Sequence, residues 1–174
     1  MTLLLKQLFA FFRLLNSETG TNQLASGLAL GLVLGFSPFL SLQTLLVLVL
    51  VLFFRIQLGA AFLSAFFFKL VAHFIDPISD QLGRTVLESE GLRPLFVSLY
   101  NMPIVPLTRF NNSIVMGSGM LGFILAVPGF FLFRLLITKY RKNVVDKFKS
   151  TKLWKAWSAT SFYKLYIQYL SLYG

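Results

Sequence analysis

Cysteine is absent and histidine occurs once, at His73. Without thiols the chain has no disulfide, no thiolate metal site and no thiol nucleophile, and one imidazole cannot build a histidine-rich metal site. No metal and no cofactor is expected. Charge is also scarce: 13% of residues are Asp, Glu, Lys or Arg, against about 25% in an ordinary globular domain. Acids are scarcest, six against 16 Lys and Arg, for a formal net charge of +10. So few charges cannot coat a soluble fold of 174 residues that is 56% hydrophobic, with a mean hydropathy of +0.75. The composition is that of an all-α polytopic membrane protein, and its length suits one membrane domain, residues 1–174.

The apolar run 22–54 is interrupted at its middle by Phe36-Ser37-Pro38-Phe39-Leu40-Ser41-Leu42-Gln43-Thr44. Each half has about 14 residues, roughly 21 Å of helix, which falls short of the roughly 30 Å hydrocarbon thickness. Proline, hydroxyl and amide groups at membrane depth are tolerated where protein or water covers them, so broken helices mark pathways and assembly sites. The expected element is a broken helical hairpin, re-entrant or spanning. Gly27, Gly31 and Gly35 fall four apart in its first half and make a stripe against which another helix packs. In a hairpin, Arg55 ends the second half on the same side as Lys6 and Arg13, in keeping with the positive-inside rule.

The remaining elements follow from periodicity and punctuation. Residues 2–15 read as an amphipathic interfacial helix rather than a signal peptide, since no small-residue cleavage site follows. Thr21 or Asn22 is the expected cap of the next helix. A transmembrane helix is expected over 58–76, ended by Asp76-Pro77, with Asp76 capping a new helix. Residues 77–110 read as a trans-side surface helix followed by a re-entrant segment rich in proline (Pro94, Pro103, Pro106). A second transmembrane helix is expected over 112–138, capped by Asn111 or Asn112, with Gly117, Ser118 and Gly122 as packing positions and a kink at Pro128. Nine of the Lys and Arg lie from Arg134 onward. With interleaved aromatics they predict a basic amphipathic cytoplasmic helix over 143–172, which binds anionic lipid rather than nucleic acid.

Three constellations could carry chemistry. Lys69, His73 and Asp76 share a helical face and offer a proton or head-group path, or else a pairing of Lys69 with Asp76 that holds helices in register. Pro38, Gln43 and Thr44 sit at exposed half-helix ends that can bind a polar head group, or else satisfy those ends locally. Arg109, Asn111 and Asn112 join the same set of polar candidates. Met116-Gly117-Ser118-Gly119 approximates the Gly-x-Ser-Gly of rhomboid-type intramembrane proteases, but Met116 replaces the first glycine and a packing surface is the expected role.

The segment from Leu28 to Gly83 resembles a known family. Ala29-Leu30-Gly31-Leu32-Val33-Leu34-Gly35-Phe36-Ser37-Pro38, Leu42-Gln43-Thr44, Arg55-Ile56-Gln57-Leu58-Gly59-Ala60 and Asp76-Pro77 are similar to motifs of the uncharacterised bacterial membrane family DUF2062. Ser41 stands where that pattern has glycine, and Gln57 and Asp76 stand where it has asparagine. These departures, with Pro103 to Asn112, resemble the subgroup from bacteria with outer membranes. The resemblance implies a location and an architecture rather than a reaction, and a larger envelope protein as partner. The expectation is a non-enzymatic, multi-pass inner-membrane subunit with cytoplasmic termini that packs through Gly27, Gly31 and Gly35 against a partner and positions or moves envelope lipid. Its alternative is an autonomous transporter or flippase, with Lys69, His73 and Asp76 coupling protons to head-group movement.

Overall fold

The computed structural model describes residues 3–17 and 19–145, together with 147 and 150. Among these the chain forms six α-helices and no strand. They are α1 (Leu3–Leu15), α2 (Thr21–Phe36), α3 (Leu42–Phe53), α4 (Leu58–Leu87), α5 (Arg93–Tyr100) and α6 (Ser113–Tyr140), with a 3-10 turn at Val105–Thr108 and a π turn at Arg141–Val145. The chain divides into two compact units, Met1–Leu135 and Leu136–Gly174. The first holds α1 to α5 and α6 as far as Leu135.

The broken run forms a hairpin. Pro38 cannot continue α2, and Ser41 starts α3 by accepting the Thr44 amide on its hydroxyl at 3.3 Å. Ala29 and Val33 of α2 then bury against Val47 and Val51 of α3, with Ala61 of α4 and Ala126 of α6 closing the cluster. The glycine stripe is filled by α4. A Cβ on Gly27 would lie 2.7 Å from the Gln57 carbonyl oxygen, one on Gly31 would strike the Ala61 carbonyl, and one on Gly35 would meet Phe68. Because 27, 31 and 35 meet progressively later residues of α4, the two helices run parallel with their backbones almost in contact. Ser64 secures the crossing by donating its buried hydroxyl to the Leu28 carbonyl at 2.7 Å.

Farther along α4, Gly83 lies against Ser113 and Ser79 against Gly117, an antiparallel and reciprocal contact with the start of α6. α6 continues past Gly122, which faces Val33, to Gly129, which faces Leu32. Outward faces are apolar: Leu46, Val49, Leu52, Phe62, Leu70, Phe74, Ile124 and Leu132 are all exposed. Two helices are long and apolar enough to cross a membrane, Leu58–Leu87 and the stretch Ser113–Val145, whereas α2 and α3 are shorter. α1 docks on α4 through Phe11, whose ring lies 6.4 Å from that of Phe67. Its Leu4, Leu8 and Phe12 stay exposed.

Several boundaries differ from those expected. α4 does not end at Asp76; it runs through Pro77 to Leu87, so Asp76 caps nothing and the expected surface helix is its continuation. Proline removes one amide from the ladder, and packing of α4 on α2 before it and on α6 after it keeps the helix going. The proline-rich stretch is a short helix with Pro94 in its first turn, then the 3-10 turn containing Pro106. α2 starts one residue earlier than its expected caps, with Gly20 in the cap position. α6 passes through Pro128 without ending and reaches Tyr140 rather than 138. Beyond the π turn, the basic helix expected over 143–172 lies outside the described residues, save 147 and 150.

Candidate functional site

The polar candidates converge on the break between α2 and α3. α2 ends with carbonyls that no further turn of helix can satisfy. Lys69 of α4 donates its ammonium to the Ser37 carbonyl at 3.1 Å and so caps that end. Pro38, half-buried, offers its carbonyl to the Thr44 hydroxyl at 3.0 Å, and Thr44 also lies 3.1 Å from the Ser41 hydroxyl. The first turn of α3 is thereby tied back to the loop before it. Gln43 reaches instead across the bundle, donating its amide to the Val115 carbonyl of α6 at 2.9 Å. Gly119 leaves the room for this reach, since a Cβ there would lie 2.5 Å from Gln43 Cγ. Two polar atoms of the break are buried without a partner, Ser37 Oγ and Gln43 Oε1. Each orphaned group of this kind costs about 1–3 kcal/mol.

Beside the break runs an open groove of about 360 Å³. Phe39, Leu40, Leu45 and Leu48 line one side and Ile104 and Leu107 the other, with Ser41, Thr44 and Thr108 supplying hydroxyls. The proline-rich segment therefore faces the break. A second groove, about 330 Å³, lies between the end of α4, α5 and Phe110 and includes Arg93, Asn101 and Asn111.

The other expected residues are distributed around this break. His73 and Asp76 share the α4 face with Lys69, but Lys69 bonds Ser37 and does not pair with Asp76. His73 is exposed, its ring 6.1 Å from that of Phe74. Asn112 caps α6, accepting the Val115 amide on its side chain at 3.1 Å. Arg109 is exposed and holds a left-handed backbone, φ 54°, as does Arg55, φ 51°. Ser118 is buried and donates to the Val115 carbonyl at 3.2 Å; no hydrogen bond joins it to His73. Gly27, Gly31, Gly35, Gly117 and Gly122 each lie at a close approach to another helix of the same chain. The expectation that the α2 stripe docks a partner is overturned, because α4 already occupies it. Sequence reasoning missed the reciprocal contact of α4 and α6. Its signal, a Ser-x-x-x-Gly at both 79–83 and 113–117, is present in the sequence. Asp80 strengthens that contact by accepting from the Ser113 hydroxyl and pairing with Arg84 at 2.9 Å.

A protein from Treponema pallidum (strain Nichols), described as uncharacterized, is 33% identical over 144 residues, which cover 83% of this chain and 89% of that one. No solved structure matches. Residues 6–145, which contain the hairpin, the break, the Lys69 cap and the Gln43 contact, match the family described as an uncharacterized protein conserved in bacteria, DUF2062. The chain belongs to that family.

Proposed function

We propose that this protein is a non-enzymatic, multi-pass subunit of the bacterial inner membrane that positions or moves envelope lipid in concert with a larger envelope protein. The groove beside the helix break carries the reading. Its walls are apolar, its volume of about 360 Å³ is that of a small-molecule site, and hydroxyls of Ser41, Thr44 and Thr108 supply polar contacts. An acyl chain suits the walls and a head group the break. Charge supports an orientation with both termini cytoplasmic. Lys6 and Arg13 lie in α1 and Arg55 follows the second half of the hairpin, whereas Asp76, Asp80, Glu88 and Glu90 offset Arg84, Arg93 and Arg109 on the way to α6. With the glycine stripe covered, a protein partner has the outer apolar faces and the basic tail left to it.

Purification from native membranes with identification of bound lipids and proteins tests this reading. Wild-type protein is expected to retain phospholipid, and Leu45→Trp, which fills the groove, to retain several-fold less. Equal retention by the two would remove the groove from the reading. The face of α4 that carries Lys69, His73 and Asp76, the first two of them exposed, favours a second reading, an autonomous flippase. Lipid flux from the purified chain alone, above that of empty vesicles, would decide for it.

A further inference from the structure

We infer that Lys69 is the binding group for the phosphate of an anionic phospholipid, taken at the helix break; this rests on the lipid reading above and names its substrate class. Lys69 Nζ donates to the Ser37 carbonyl, so one of its three N–H donors is engaged and the ammonium is fixed in place. No carboxylate among the described residues pairs with it. The residue is exposed, and Leu70, Val71 and Phe74 around it are exposed and apolar. At about 1.5 Å rise per residue, Lys69 stands roughly 17 Å along α4 from Leu58, near the middle of a hydrocarbon layer about 30 Å thick. A cation at that depth is costly until an anion meets it.

The second observation is independent of the first. Ser37, whose carbonyl positions the ammonium, is 1% exposed and keeps its own hydroxyl without a partner. An orphaned donor on the residue that fixes the cation marks the break as a polar point that the fold itself leaves unsatisfied. Free phosphate could supply the same oxygens, but the surrounding helix surface is apolar and the adjacent groove accepts a chain, which favours a phosphate that arrives on a lipid.

The test uses the full chain, delipidated and equilibrated with vesicles of phosphatidylglycerol and phosphatidylcholine, with retained lipid read by native mass spectrometry. Lys69→Gln keeps an N–H for the Ser37 carbonyl and removes the charge. The wild type is expected to enrich phosphatidylglycerol, Lys69→Gln to lose about tenfold of that enrichment, and Lys69→Arg to keep most of it. Undiminished enrichment in Lys69→Gln overturns the inference, as does displacement of the lipid by millimolar inorganic phosphate. Should Lys69→Gln fail to fold, a photoactivatable phosphatidylglycerol on the wild type replaces it: labelling of the peptides bearing Ser37 or Lys69 supports the inference, and labelling confined elsewhere overturns it. Retention of both lipids without preference defeats the inference alone, whereas retention of neither defeats the lipid reading itself.

Discussion

A methyl group at Gly83 would run into the Ser113 backbone, and one at Gly117 into that of Ser79, whereas at Gly59 its nearest neighbours lie 3.8 and 3.9 Å away. Gly83→Ala or Gly117→Ala should therefore cost about 2–3 kcal/mol by forcing α4 and α6 apart, while Gly59→Ala should gain about 0.5–1 kcal/mol from helix propensity. Thermal unfolding in detergent reads both signs, and like effects at the three sites would refute the close approach. Gln43 divides in the same way. Gln43→Leu removes a hydrogen bond and an orphaned oxygen together, and Ser118 still serves the Val115 carbonyl, so stability should change by less than about 1 kcal/mol. Gln43→Glu sets a carboxylate against that carbonyl and should cost about 3 kcal/mol or more at neutral pH. Residue type made Gln43 and Lys69 visible in the sequence as polar groups within apolar runs. Their partners, the carbonyls of Val115 and Ser37, were not legible, because every residue carries the same carbonyl.

α4 shows what patterning reads well and where it errs. Its start after Arg55-Ile56-Gln57 and its apolar length were legible, and so was the hairpin before it, since a proline among hydroxyls breaks a helix whatever surrounds it. Its continuation past Pro77 was not, because the local rule that ends a helix before proline yields when tertiary contacts hold both flanks. The packing of α2, α4 and α6 can be checked without any background thiol, since the chain has no cysteine. A Cβ on Gly122 would lie 3.4 Å from that of Val33, close to the roughly 3.5–4.5 Å of a disulfide. Val33→Cys with Gly122→Cys should therefore crosslink α2 to α6 on mild oxidation, seen as a mobility shift that reductant reverses. Either cysteine alone should give no intramolecular bond.

The distribution of charge sets the expected orientation of the whole molecule. A single cysteine at Arg55→Cys should react with an impermeant maleimide only from the cytoplasmic side, and one at Glu90→Cys only from the periplasmic side. The reverse pattern would invert the proposed topology. A bundle of helices was legible from composition alone, since so apolar a chain has to close its backbone hydrogen bonds within each segment. Which helix lies beside which was less so: glycine spacing marks where a neighbour sits and does not say whether that neighbour comes from the same chain. That α4 fills the α2 stripe also orders biogenesis. During synthesis α2 and α3 emerge before α4, each too short to span alone and with the glycine face still bare. On the proposed membrane topology the hairpin would wait at the insertion machinery until residues 57–69 follow it, and α4 would serve as the intramolecular chaperone of the segment that precedes it.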